Sequence, residues 1–288
     1  MNILITGANG QLGSELHKLS GDVVTANGNS YIFTDIAELD ITNINAICDF
    51  MLMHKIEVVV NCAAYTNVEK AEDDFYTANL INNEAVANLA NVCKDNKAFL
   101  IHISTDYVFG GTDSNLPYGE DERPNPLGVY GKTKLNGEAS VKRILDKYLI
   151  FRTAWLYSQY GNNFVKTMRK LMSEKEMLKV VFDQVGTPTN AADLATVIYK
   201  IVEEKLYKTH TGIYNFSNEG VCSWYDFAVA IGELSGTKCN IVPCYSAEFL
   251  SKVKRPAFSV LDKTKIKRDF VISIPYWRNS LARCIEML

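Results

Sequence analysis

Tyr130 and Lys134 stand four residues apart in Tyr130-Gly131-Lys132-Thr133-Lys134, inside a run over 131–145 that reads as helix. At that spacing both side chains leave one helix face. A phenol with a pKa of about 10 is a poor acid at neutral pH, and a lysine ammonium beside it favours the phenolate and lowers that pKa. The pair therefore suits general acid catalysis, protonating an oxyanion as it forms on a carbonyl carbon. An exposed tyrosine and lysine that merely share a face would satisfy the same spacing. The elements around the pair have to decide between the two.

A second chemistry lies at the start of the chain. Residues 1–6 read as a short buried strand, followed by Gly7-Ala8-Asn9-Gly10-Gln11-Leu12-Gly13 and a helical pattern with Leu12, Leu16 and Leu19 on one face. Strand, glycine-rich turn and helix form the setting of a dinucleotide fingerprint. One glycine allows the tight turn, the next lets backbone approach a pyrophosphate, and the helix N-terminus offers it N–H groups. The spacing is G-x-x-G-x-x-G, not the G-x-G-x-x-G of many dehydrogenases.

A strand predicted over 31–34 ends at Asp35, about 20 residues past the glycines, where an acid takes the adenosine ribose hydroxyls. A turn aspartate at a strand end is the alternative. Asp40 and Ile41 follow as further cofactor contacts, although Asp40 could instead cap a helix predicted over 43–54. No lysine or arginine lies between Gly21 and Met53. A carboxylate without a local cation accepts bonds from free ribose hydroxyls and repels a 2′-phosphate, so NADH should bind at least as well as NADPH.

The buried strand predicted over 57–61 runs into Cys62-Ala63-Ala64-Tyr65-Thr66, small residues past which a cofactor could lie close to backbone. A long helical stretch over 71–94 and a strand over 98–103 come next. That strand leads into Ser104-Thr105-Asp106-Tyr107-Val108-Phe109, with hydroxyls where open α/β sheets bind ligands. Thr105 there could hydrogen-bond a substrate carbonyl or, equally, its own backbone.

Further on, strands are expected over 148–157, 178–182, 212–216 and near 241. Helices are expected over 163–173, 192–204, from a Ser223 cap to 234, and from 276 to the end. The regular βαβ alternation of the first half implies an α/β fold with a Rossmann-like, doubly wound parallel sheet. Residues 1–157 are expected to form the dinucleotide-binding domain, with a return segment at about 183–205. Residues 158–288 are expected to form, in the main, a smaller substrate-binding lobe.

Composition narrows the class. The chain has 288 residues, 47% hydrophobic and 22% charged, with a net charge of −3. That balance and the lack of a basic stripe argue against nucleic acid as a partner. No apolar run reaches the roughly 18 residues of a membrane span, and no signal-peptide pattern is present. The seven cysteines, in apolar surroundings and without a C-x-x-C, read as reduced thiols of a cytoplasmic protein. The four scattered histidines suggest no metal site.

The glycine turn, Thr105, and Tyr130 with Lys134 occur in the order seen in extended short-chain dehydrogenases/reductases. Asn61-Cys62-Ala63-Ala64-Tyr65-Thr66, Ser104-Thr105-Asp106-Tyr107-Val108-Phe109, Arg152-Thr153-Ala154-Trp155, Asp183-Gln184-Val185-Gly186-Thr187-Pro188 and Arg255-Pro256 narrow this. Together they resemble the dTDP-4-dehydrorhamnose reductase family along the whole chain, with Cys62 where that family usually has alanine. The resemblance implies NADPH- or NADH-dependent reduction of the C4 ketone of a dTDP-linked 4-keto-6-deoxyhexose, giving dTDP-L-rhamnose for surface polysaccharide. It implies Tyr130 as the acid, Lys134 as its partner and holder of the nicotinamide ribose, and Thr105 as the group that orients the carbonyl. Gly7, Gly10, Gln11, Leu12, Gly13, Asp35, Asp40, Ile41, Cys62, Ala63, Ala64 and Tyr65 would border the cofactor. Thr66, Asp106, Tyr107, Trp155 and Asn163 would line the sugar pocket, and Arg255 would pair with the diphosphate. A homodimer is the expected assembly. Two other readings use the same fold. One is a nucleotide-sugar epimerase or 4,6-dehydratase, although Tyr107 stands where a dehydratase carries its acid. The other is a non-catalytic regulatory subunit, which would not need Thr105, Tyr130 and Lys134.

Overall fold

The computed structural model describes residues 1–21, 24–110, 115–248 and 251–288. Strand β1 (Asn2–Thr6) enters helix α1 (Gln11–Ser20), and β2 (Ser30–Thr34) leads to α2 (Ile44–Met53) and β3 (Ile56–Asn61). Helices α3 (Val68–Ala71), α4 (Phe75–Asn79) and α5 (Ala85–Asp95) carry the chain to β4 (Phe99–Thr105), α6 (Val129–Ile144) and β5 (Tyr148–Thr153). Short strands and lobe elements follow: β6 (Leu156–Tyr157), α7 (Phe164–Glu174), β7 (Met177–Val181), β8 (Val185–Gly186) and β9 (Thr189–Asn190). The chain then forms α8 (Ala191–Glu203), β10 (Gly212–Phe216), β11 (Cys222–Ser223), α9 (Trp224–Ser235), β12 (Asn240–Cys244), α10 (Thr264–Phe270) and α11 (Trp277–Glu286).

Six strands make one parallel sheet in the order β10-β5-β4-β3-β1-β2. This is the expected α/β architecture. The residues β1 sends to the two faces show why it is doubly wound. Ile3 and Ile5 pack with Leu12 and Leu16 of α1 and Leu194, Ile198 and Ile201 of α8, while Leu4 packs with Ile47, Met51, Leu89 and Val141 under α2, α5 and α6. Val58-Val59-Val60 divides in the same way, which is why it reads as a continuous apolar run. Leu19, predicted on the same face as Leu12 and Leu16, lies in the last turn of α1 and is 42% exposed.

The lobe has its own core. Val165 and Met168 of α7, Phe227 and Ile231 of α9, and Leu281 of α11 meet around Tyr157. A capping box starts α9, with Ser223 and Asp226 each bonding the other's backbone N–H, as the Ser223 cap predicts. The return to the central sheet includes β10 and α10 as well as α8. Among the described residues no helix is long and apolar enough to cross a membrane.

Two departures from the predicted elements bear on function. The single helix expected over 71–94 is broken, and its middle (Leu80–Glu84) is a π turn. The wider turn brings buried Asn82 inward: its Oδ1 accepts from Tyr65 N at 2.9 Å, and its Nδ2 donates to Tyr65 O and to Thr133 Oγ1. The strand expected over 148–157 stops at Thr153, because Trp155 adopts a left-handed φ of 48°. The helix cap is also reassigned. Asn43 caps α2 through its own Oδ1, whereas Asp40 accepts from the N–H and hydroxyl of Thr42.

Helix α6 lies so close to the π turn that Gly137 has no room for a side chain; a Cβ there would overlap the Asn82 carbonyl oxygen. In an exposed helix interior Gly→Ala gains roughly 1 kcal/mol. Here overpacking against backbone, on the order of 1–3 kcal/mol, wins. Gly137→Ala is therefore expected to lower the urea midpoint of unfolding. A midpoint equal to or above that of the parent would show that the α6 contact yields freely.

Candidate active site

The switch point of the sheet lies at β1, whose neighbours β2 and β3 are on opposite sides. A cleft of about 980 Å³ opens over the carboxyl ends of these strands and of β4. Its floor is the glycine turn. Gly7 has a φ of 65°, and a Cβ there would sit 2.6 Å from Ala63 N, so only glycine lets the two strand ends approach. A Cβ on Gly10 would meet only Gly7 O and otherwise point into open space. Helix α1 starts there with no side-chain cap and no acid in its first turn, which leaves its N-terminal N–H groups free of competing protein carboxylates. A dinucleotide pyrophosphate fits this cradle, on the geometry of the chain alone.

Asp35 stands at the rim beyond the turn. Its Oδ2 accepts from Asn9 N at 3.0 Å and its Oδ1 from Ile36 N, so it also pins the glycine loop. Asp40 and Ile41 line the cleft beside it, as do Gln11, Leu12 and Gly13. A side hollow next to the cleft is bordered by Asp35, Glu38, His17 and Lys18. The sequence reading looked for cations only after Gly21. Lys18 arrives from the helix before it, so a basic group does stand near Asp35.

Of the run 62–66, Cys62, Ala63, Ala64 and Thr66 line the cleft. Tyr65 does not; its backbone is held by Asn82 and its hydroxyl faces Asp74 Oδ2 at 3.3 Å. Burial pushes the Cys62 thiol up to about 12, so it stays protonated.

Thr105, Asp106, Tyr107, Tyr130 and Lys134 come together at the end of β4. The Tyr107 and Tyr130 rings meet edge to face at 5.5 Å. Thr105 donates to Asp106 Oδ1 at 3.1 Å and accepts from Tyr107 N. Asp106 is buried, and its Oδ2 has no hydrogen-bond partner. Desolvation raises its pKa to about 7, against the pull of the Ser259 and Thr105 hydroxyls. An unsatisfied carboxylate oxygen in a cleft wall suits a ligand hydroxyl.

Lys134 is anchored to β4. Its Nζ donates to Ile103 O at 2.7 Å and lies 3.5 Å from His102 Nε2. Burial pushes the Tyr130 phenol up to about 12, and the Thr105 hydroxyl pulls it back in part. The net shift is upward, because desolvation outweighs the lowering expected of a lysine charge, and the phenol carries its proton at neutral pH. Burial also lowers Lys134 to about 8, partly opposed by Glu138.

Trp155 lines the cleft and stacks on Trp224, with ring centroids 3.5 Å apart and 9° between planes. Two other predicted residues stand outside the wall. Asn163 caps α7 through Lys166 N and ties it to Gln11 Oε1 at 3.0 Å. Arg255 pairs with Glu69 at 2.9 Å, leaving its Nε buried without a partner. Sequence reasoning passed over Asn82, His102 and Glu138. A polar residue embedded in an apolar strand or helix was the available signal.

A parallel sheet with a glycine turn at its switch point defines the class: a Rossmann-type nucleotide-binding protein. The chain matches the RmlD substrate binding domain model over residues 1–288, and it belongs to that family. A dTDP-4-dehydrorhamnose reductase of Aggregatibacter actinomycetemcomitans is 40% identical, over 97% of this chain and 96% of that one. The crystal structure of a Clostridium acetobutylicum dTDP-4-dehydrorhamnose reductase superposes with a TM-score of 0.92 at 44% identity, covering 100% of this chain and 99% of that one. The Bacillus anthracis dTDP-4-dehydrorhamnose reductase in complex with NADP gives 0.92 at 38% identity, with the same coverage.

Asp35 faces the cofactor cradle with Glu38 beside it. A like charge within a few ångströms costs on the order of 1–4 kcal/mol near a protein surface. Asp35→Ser is expected to raise the ratio of NADPH to NADH affinity on the order of tenfold, read by titration of both cofactors. An unmoved ratio would leave Asp35 as the pin of the glycine loop and turn attention to Lys18.

Proposed function

We propose that this chain reduces the C4 ketone of dTDP-4-dehydro-L-rhamnose to dTDP-L-rhamnose with NADPH or NADH, a step in the supply of an activated sugar for polysaccharide. The observation that carries the reading is the meeting of Thr105, Tyr130 and Lys134 at one strand end, facing a glycine cradle across a single cleft. The family membership supports it.

In this reading NADPH or NADH, held at Gly7, Gly10 and Gly13 with its adenosine ribose at Asp35, supplies the hydride when bound. Thr105 and Tyr130 hydrogen-bond the C4 oxygen and stabilise the charge that develops there. Tyr130 gives its proton to that oxygen, so the alcohol gains one hydride and one proton and the tyrosine is left as phenolate. Lys134 holds the nicotinamide ribose, and its charge favours that phenolate. Asp106 Oδ2 accepts from a sugar hydroxyl, Trp155 and Tyr107 flank the ring, and Thr66 borders it. Arg255 leaves Glu69 for the diphosphate. Residues 158–288 serve in the main as the substrate lobe, over a cofactor domain of residues 1–157 with its return segments. The functional form is a cytoplasmic homodimer.

Tyr107 follows Asp106 where elimination chemistry would need an acid, which favours reduction over dehydration. The test is cofactor oxidation by the purified chain with dTDP-4-dehydro-L-rhamnose, with identification of the product. Tyr130→Phe keeps the ring and removes the proton; kcat is expected to fall about 10²–10⁴-fold with cofactor affinity held. A folded parent that oxidises no cofactor with this substrate sinks the reaction, and a Phe variant of near-parental kcat removes Tyr130 as the acid.

A further inference from the structure

Lys134 ends a line of buried side chains that crosses the sheet beneath the cleft, and the mechanism makes no use of the line's other members. Thr6 of β1, Asn61 of β3, His102 of β4 and Lys134 of α6 are each no more than 2% exposed. Their donors and acceptors leave little freedom. Asn61 Oδ1 accepts from Thr6 Oγ1 at 2.7 Å and from Ala63 N at 3.1 Å. Both partners donate, so the oxygen must face them and the Nδ2 amide must face His102 Nδ1, 3.1 Å away. His102 Nδ1 is then an acceptor, and the neutral ring carries its proton on Nε2. That N–H points at Lys134 Nζ, 3.5 Å distant. An ammonium there would set donor against donor, whereas an amine could accept from the ring while donating to Ile103 O at 2.7 Å.

We propose that His102 is a positioning residue, held as its Nε2–H tautomer by the Thr6–Asn61 chain, whose ring N–H favours the amine form of Lys134 and so sets the pH above which the ammonium is lost. The proposal rests on the reductase reading for its catalytic meaning, and on the hydrogen-bond chain alone for its tautomer. The other groups facing Lys134 do not replace His102. Glu138, one turn along α6, raises the lysine pKa, but its carboxylate is shared by Arg152 and Ser104. Cys62, at the end of β3, is a protonated thiol, and Tyr130, on α6, is a protonated phenol. The His102 ring is held neutral by burial first and by the lysine second.

The sign follows. Lys134 is charged below its pKa of about 8 and neutral above it. A reaction that needs the ammonium to favour the phenolate therefore loses rate as pH rises through that value. Withdrawing the facing N–H raises the lysine pKa and carries the alkaline limb upward. His102→Asn retains an amide at the position of Nδ1, for Asn61, and leaves nothing at Nε2. His102→Gln places an amide oxygen within reach of Lys134. Both variants are expected to move the alkaline limb of kcat/KM up by about one pH unit. A merely structural histidine would scale the rate equally at every pH, so an unmoved limb in both folded variants overturns the proposal. Nitrogen-15 spectra of the parent's histidine rings, with the His102 signals assigned by their loss in His102→Asn, are expected to show the Nε2-protonated neutral form between pH 6 and 8. An Nδ1–H tautomer or an imidazolium overturns it as well. The spectra need no turnover, so a parent that fails to reduce the sugar nucleotide would count against the reductase reading and leave the tautomer chain to its own measurement.

Discussion

Arg152 and Glu138 form the ion pair on which the geometry of the cleft depends. Both are about 2% exposed, and the guanidinium grips both carboxylate oxygens, at 2.9 and 2.7 Å. Ser104 donates to the same carboxylate at 2.6 Å, Arg152 Nη1 donates to Glu120 O, and the guanidinium lies over the Phe109 ring. One salt bridge thus joins β4, β5, α6 and the loop before α6. Burying two charges costs several kcal/mol each in lost hydration, so a pair of this kind is weak evidence of stability. Removing one partner is a different matter and costs about 3–5 kcal/mol. What the pair supplies is register. Glu138 is two turns beyond Tyr130, so its grip on the sheet sets the height at which the phenol meets Thr105.

The cleft that results is uneven in its satisfaction of polar groups. Backbone groups around the glycine turn and the 62–66 run are held by Asp35 and Asn82. One group of the cleft wall is not: Asp106 Oδ2 lacks a hydrogen-bond partner. Protein interiors seldom tolerate such vacancies. The place of Asp106 at the end of β4, in the cleft wall, marks the surface that awaits a ligand against the scaffold that supports it.

Much of this was legible in the sequence because the periodicities are strong. The Val58-Val59-Val60 run, the turn at Gly7 and the 131–145 helix report local physics, and each was found within a residue or two. The failures are non-local. Leu19 has the right helical phase, but it falls in the last turn of α1 and stays exposed. The π turn at Leu80–Glu84 exists because Asn82 finds Tyr65 and Thr133, partners 17 and 51 residues away. Glu69 as the partner of Arg255 and Gln11 as the partner of Asn163 are contacts that only the fold supplies. The expected effect of Lys134 on Tyr130 assumed a solvated helix face. Burial outweighs it and turns the net shift of the phenol upward, and burial is a property of the assembled layers.

The two faces of the sheet are completed at different points along the chain. The face under α2, α5 and α6 draws its helical cover from residues up to Leu145. The opposite face has α1 early, but needs α8, and then β10 and α10, to cover Leu149 and Phe151. During synthesis, β5 emerges well before the strand that will pair with its outer edge, residues 212–216. A nascent chain halted between these points presents an apolar half-sheet and a bare strand edge, the two features that most invite association with other chains. The parallel topology that builds the cleft thus makes the protein dependent, for a stretch of some sixty residues, on whatever shields emerging chains at the ribosome.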